Sequence, residues 1–180
     1  MVGNFKTFLA LSVLLPLFWA MGFEVKAQEG TVANKAEWLI SFSKFIDWPS
    51  KDQEETFSIK ILGDENFYQY LNYIYADRTV KGKPVKVSLV FSSEEVSDCH
   101  ILFVSSEFKE SLPEIIQKTK SHPILTVGEY TGFAKDGIMI NFFTENGEIR
   151  FELNPDAANK SGLSIGYQLF QVAKVVKFQP

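Results

Sequence analysis

From residue 57 to residue 127 the sequence alternates short runs suited to strands with longer runs of helical period, a pattern satisfied by a parallel sheet with crossover helices. Phe57–Leu62 alternates apolar and polar residues before turning wholly apolar, and Gly63-Asp64 punctuates its end. Asn66 to Ala76 has the helical period, with Phe67, Tyr70, Leu71 and Ile74 on one face and Tyr68 and Tyr75 together on another. Val85–Val90 is a β-branched, alternating strand pattern, followed by a short polar segment, Ser92 to Ser97. His100 to Val104 is nearly unbroken in its apolar character, as in a strand covered on both faces. Leu112 to Lys120 suits a helix with Pro113 in its first turn, and Pro123–Val127 a second buried strand ending at Gly128-Glu129.

A helix precedes this core and a different style of chain follows it. Ala33 to Phe45 lacks Gly and Pro and has two apolar stripes, one through Ala36, Leu39, Ile40 and Ile46, the other through Trp38, Phe42 and Phe45. Trp48-Pro49 closes it, since a residue before proline leaves the α region. In the tail, Ile138–Phe143 and Glu148–Leu153 are strand-like and are joined by Thr144–Gly147, where Asn-Gly signals a hairpin. The expectation is an antiparallel hairpin at the edge of a mostly parallel sheet. Asn154 then caps a helix opened by Pro155, and an amphipathic helical stretch is expected from Ile165 to Val176.

A chain of 180 residues suits one domain, and 46% apolar residues with 17 Phe, 6 Tyr and 3 Trp are more than a solvated coil could carry. A net charge of −4 argues against binding nucleic acid, which needs a basic face. At the start, Met1–Lys6 has one positive charge, Phe8–Ala20 is an apolar run shorter than the roughly 20 residues of a membrane span, and Val25-Lys26-Ala27 places small residues at −3 and −1 of a secretory cleavage site. Residues 1–27 are therefore expected to be a cleaved signal peptide and residues 28–180 a single exported domain. The other reading, an uncleaved anchor, exports the domain as well. Lone Cys99 is expected to be a buried small hydrophobe; the alternative is a bridge between two copies.

The chemical inventory supplies no nucleophile with its base, no phosphate loop and no His-Glu-x-x-His pattern. His100 and His122 each sit ahead of an apolar strand, so no catalytic residues, metal or cofactor are expected. Three other groupings stand out. Open α/β sheets bind ligands outside the carboxyl ends of their strands, which makes Gly63, Asp64, Ser105, Ser106, Gly128 and Glu129 candidates for a small-molecule crevice, though the same residues are ordinary turn formers. Asn141, Arg150, Glu152 and Asn154 form a candidate structural polar network, with Arg150 and Glu152 on one sheet face. Trp38, Phe42, Phe45, Tyr68 and Tyr75 exceed what one core stripe needs and are candidates for a partner or dimer surface; the alternative is a first helix buried on both stripes.

Taken together, Trp38–Pro49, Cys99–Ser105, Pro123–Val127 with Gly132-Phe133, and Gly137–Phe142 running on to Arg150–Asn154 resemble, in order and spacing, the YfiR family of exported bacterial proteins; Asp156-Ala-Ala158 and Ser161-Gly-Leu163 complete the tail pattern. The resemblance implies a Rossmann-like, three-layer α/β domain in the periplasm, without catalysis, that binds and represses a membrane-anchored sensor. That sensor would be a diguanylate cyclase, so that cyclic di-GMP and biofilm formation fall, or else a histidine kinase. It also implies a homodimer. Family members with several cysteines pair them, whereas Cys99 has no partner within this chain.

Overall fold

The computed structural model describes residues 30–177. The expected signal peptide lies outside the described residues. Helix α1 occupies residues 30–45 and is followed by β1 (Ile46–Asp47), β2 (Phe57–Leu62), α2 (Glu65–Tyr75), β3 (Thr79–Val80), β4 (Lys83–Val90) and β5 (Ile101–Val104). Then come α3 (Leu112–Thr119), β6 (Leu125–Gly128), α4 (Phe133–Asp136), β7 (Ile140–Glu145) and β8 (Glu148–Leu153). The chain finishes through α5 (Pro155–Lys160), β9 (Ser164–Ile165), α6 (Tyr167–Val172) and β10 (Lys174–Val175).

Eight of these strands form one sheet in the order β10-β8-β7-β6-β5-β2-β4-β3. The pairs β4–β2, β2–β5, β5–β6, β6–β7 and β8–β10 are parallel, while β7–β8 and β3–β4 are antiparallel. From β2 the chain crosses to β4 on one side and then returns to β5 on the other, so the direction of winding reverses between β2 and β5. A ligand crevice of an open α/β sheet forms outside the carboxyl ends of strands at such a point. Strands β1 and β9 form a separate antiparallel pair that ties the end of α1 to the tail.

The period of two places alternate residues of each central strand in different layers. Ile59, Ile61, Ile101, Phe103, Leu125, Val127, Ile140 and Phe142 belong to the larger core, together with Leu39 and Phe42 of α1 and Phe67 and Leu71 of α2. Leu62, Leu102 and Val104 belong to a second core with Leu112 and Ile115 of α3 and Phe133 of α4. The sheet is thus the middle of three layers. Cys99 is fully buried in the second core, its thiol 3.7 Å from the Val96 carbonyl oxygen that accepts from it, and burial pushes its pKa up to about 12.

Two expectations about the tail are corrected. The hairpin β7–β8 is not the sheet edge, because Lys174-Val175 folds back in parallel beside Glu152-Leu153 and takes the edge position. The helix expected over Ile165 to Val176 shrinks to α6, because Ser164-Ile165 pairs with β1 and Lys174-Val175 pairs with β8. Backbone pairing with available edges has overridden an amphipathic period too short to stand alone.

The expected cap at Asn154 is present and has a second role. Its Oδ1 accepts from the Ala157 N–H at 3.0 Å, while its Nδ2 donates to the Ala134 carbonyl at 2.7 Å, which joins α5 to α4. Asn154→Ala removes the cap and leaves the Ala134 oxygen without this donor, so a loss of about 1–2 kcal/mol is expected, read as a lower urea midpoint at unchanged slope. A midpoint equal to that of the parent protein would show that the residue contributes nothing beyond its volume.

Candidate functional site

At the point where the sheet reverses, the crevice is filled. Gly63 ends β2 with a φ of +84°, and a Cβ there would lie 2.5 Å from Phe108 Cε2 and 2.7 Å from Ser105 Oγ. The Phe108 ring therefore caps Gly63 and Ser105. The next strand end is closed in the same way, since a Cβ on Gly128 would stand 2.6 Å from Phe133 Cδ2 and 3.3 Å from Asn141 Oδ1. Ser105 is buried and Ser106 is exposed at the start of the turn that carries Phe108. Of the six crevice candidates, Gly63, Ser105 and Gly128 are thus packed under aromatic rings.

The acidic pair among the six is brought together by a residue that the sequence pattern did not single out. Lys35 of α1 is 6% exposed, and its Nζ lies 2.8 Å from Glu129 Oε2 and 3.8 Å from Asp64 Oδ2. The same ammonium stands over the rings of Phe67 at 4.9 Å and Phe103 at 5.3 Å. Asp64 is fixed independently, because its Oδ1 accepts from the Phe67 N–H at 2.9 Å and so caps α2. A buried cation is tolerated only when paired, and two carboxylates with two ring faces supply the pairing. Lys35 precedes Leu39 by four positions and Phe42 by seven, which places it on a buried line of α1 and is the signal that could have marked it.

Beside this cluster lies a cavity of about 430 Å³, walled by Lys35, Thr31, Glu129, Thr131 and Gly132 on one side and by Asn141, Phe143, Ile149, Glu152 and Lys174 on the other. Register explains the second wall. Asn141 stands directly opposite Glu152 in the β7–β8 ladder, and Lys174 pairs with Glu152 across the β8–β10 junction. Asn141 Nδ2 donates to Glu152 Oε2 at 3.4 Å, and Lys174 Nζ lies 3.2 Å from Glu152 Oε1 and over the Phe143 ring at 5.2 Å. Asn141 is 1% exposed, and its Oδ1 is buried and accepts no hydrogen bond.

The four-residue polar network is therefore divided. Asn141 and Glu152 wall the cavity, Asn154 caps α5, and Arg150 points to solvent with Glu145 at 3.3 Å and Glu148 at 3.7 Å. The surface aromatics are corrected in part. Phe42 is fully buried and Tyr75 is 2% exposed, so neither lies on a surface. Trp38 is half-buried, with its ring 4.9 Å from Phe151 and 6.0 Å from Phe42. Tyr68 is also half-buried, and Phe45 is exposed. The two stripes of α1 are buried unequally: Ala36, Leu39 and Ile46 of the first and Phe42 of the second are in the core, with Phe42 packed on the hairpin, while Trp38 and Phe45 retain exposure. Among the described residues, no helix is long and apolar enough to cross a membrane, and no group of three or more His, Cys, Asp or Glu side chains is placed to hold a metal ion.

Strand order, three layers and a polar cavity beside the strand ends define an α/β protein of the Rossmann-like class. Its place within that class follows from the family model for YfiR/HmsC-like proteins, which matches residues 33–174. The chain belongs to the YfiR/HmsC-like family. No curated protein matches it. Among solved structures, the ABC domain in complex with L-Trp from Streptococcus pneumonia is similar at a TM-score of 0.50 and 12% identity, over 67% of this chain and 55% of that one. A conserved domain protein from Vibrio cholerae is similar at a TM-score of 0.47 and 12% identity, over 66% of this chain and 54% of that one. The chain spans about half the length of these structures, and the likeness to the first extends to the α/β fold alone.

Proposed function

We propose that this protein is an exported, non-catalytic regulator that binds the periplasmic part of a membrane-anchored sensor and represses it, the sensor being a diguanylate cyclase whose cyclic di-GMP output governs biofilm formation. Membership of the YfiR/HmsC-like family is the observation that carries this reading. The expected signal peptide at residues 1–27 agrees with a periplasmic location, and a homodimer is part of the proposal. The test is deletion of the gene in its native host, with cyclic di-GMP measured, and capture of the tagged protein from solubilised membranes. A rise in cyclic di-GMP, restored by the wild-type chain, and capture of a membrane cyclase are expected. A captured histidine kinase with unchanged cyclic di-GMP would replace the cyclase by the kinase, and no change with no membrane partner would overturn the proposal.

A second reading, that the domain also takes a small molecule, is supported by the 430 Å³ cavity beside the strand ends. Its volume is within the range of about 300–1,000 Å³ usual for ligand sites. Glu129, Asn141 and Glu152 line this cavity, whereas the crevice between Gly63 and Ser105 is filled by Phe108.

A further inference from the structure

The charges that wall the cavity neutralise one another in pairs. Lys35 is matched to Glu129 at 2.8 Å with Asp64 behind it, and Lys174 is matched to Glu152 at 3.2 Å. The lining itself holds two ammoniums and two carboxylates, so a ligand with net charge of either sign would meet as many like charges as opposite ones there and would compete with the existing pairs. That is a poor exchange for Lys35, whose partners hold it out of water. A neutral ligand leaves both pairs intact.

Hydrogen-bonding capacity then narrows the class. Glu152 already accepts from Asn141 and Lys174, and one oxygen of Glu129 is taken by Lys35, while Asn141 Oδ1 accepts nothing. The wall thus has acceptor capacity to spare at Glu129 and Asn141, beside donors at Lys174 and hydroxyls such as that of Thr131, which can either donate or accept. Hydroxyl groups suit this mixture, because each can donate to a carboxylate or amide oxygen and accept from an ammonium without carrying charge. The Phe143 side chain contributes apolar surface to the same wall, which suits the C–H face of a ring.

Resting on the small-molecule reading above, we propose that the cavity between α1, the loop after β6 and the β7–β8 hairpin binds a neutral, hydroxyl-rich molecule of mono- or disaccharide size. Glu129 and Asn141 receive its hydroxyl protons, Lys174 donates at the rim, and the Lys35–Asp64–Glu129 cluster holds the inner wall in shape. Occupancy would join α1 to the hairpin and to edge strand β10 through one ligand.

The test is thermal unfolding and titration calorimetry of the exported chain with D-glucose and maltose, alongside citrate and putrescine as anionic and cationic probes, each at about 10 mM. A ligand that binds only the folded state raises the melting temperature. Glucose or maltose is expected to raise it and the charged probes to leave it unchanged. Asn141→Ala and Lys174→Ala are each expected to weaken saccharide binding about tenfold or more, and Lys174 is exposed enough for its variant to keep the fold. A shift with citrate or putrescine and none with either saccharide would overturn the ligand class while keeping a small-molecule site. No shift with any of the four would overturn this proposal, and saccharide binding unchanged in both variants would place the site elsewhere.

Discussion

Phe42→Ala is expected to lower the stability of the folded protein by about 3–5 kcal/mol, with a corresponding loss in the urea midpoint. Phe42 is fully buried, with its ring centroid 5.0 Å from that of Phe151 and 5.9 Å from that of Phe142. Those two strand residues face each other in the β7–β8 ladder, so one helix side chain fills the space over a cross-strand aromatic pair. Truncation leaves a cavity that the rigid sheet beneath cannot close, which puts the cost at the upper end for core substitutions. The result also bears on function. If Phe42 acted through a partner surface, the alanine variant would retain its melting temperature and lose partner capture; if it is core, stability falls first, and capture falls only as far as the folded population does. A variant as stable as the parent would contradict the packing of α1 on the hairpin.

That helix shows where the chain's pattern could be followed and where it could not. The strand runs 57–62 and 148–153 are found at those bounds, and β5 and β6 are buried on both faces as their unbroken apolar character implied. Local chemistry sufficed there, since Gly63-Asp64, Asn146-Gly147 and Asn154-Pro155 end or open elements by their own backbone preferences. Trp38 and Phe42 were harder to place, because a surplus stripe is apolar whether it meets another protein or the same sheet. Only the position of the hairpin decides, and that is a long-range fact with no local signature. The cavity was legible in fragments. Once Asn146-Gly147 is the turn, Glu145 pairs with Glu148 and Asn141 falls opposite Glu152, so one wall follows from register alone. Its other wall depends on Lys35, whose partners are 29 and 94 positions away, and on β10, which amphipathic spacing had marked as helix.

A second large effect is expected from pH. His100 is 2% exposed, stacked on Phe57 at 4.4 Å between ring centroids, and its Nδ1 accepts from the Ser58 N–H at 3.1 Å. Burial holds its pKa down to about 4, against the partial opposition of the Glu54 carboxylate 3.7 Å away and with added lowering by Lys51 and Lys83. In the unfolded chain the same imidazole titrates near 6.5. Between these values the unfolded state binds a proton that the folded state does not, so stability rises with pH through this window. It is fully present above pH of about 6.5 and is lost as pH falls towards about 4, by about 3 kcal/mol in all. Protonation would also turn Nδ1 into a donor and take the acceptor away from the Ser58 N–H, although the Ser58 hydroxyl at 3.1 Å and the Glu54 carboxylate at 3.7 Å stay within reach of the new proton. His100→Asn retains an acceptor for that N–H and has nothing to titrate. Urea denaturation of the parent chain at pH 7 and pH 5 is expected to show a clear drop in stability, and the variant a much smaller one. Glu114, held below the usual carboxylate range by hydrogen bonds from Lys118 and Ser93, loses its contribution only at lower pH, so it does not mimic the effect. An equal drop in parent and variant would mean that His100 is not the group whose burial makes this fold acid-sensitive.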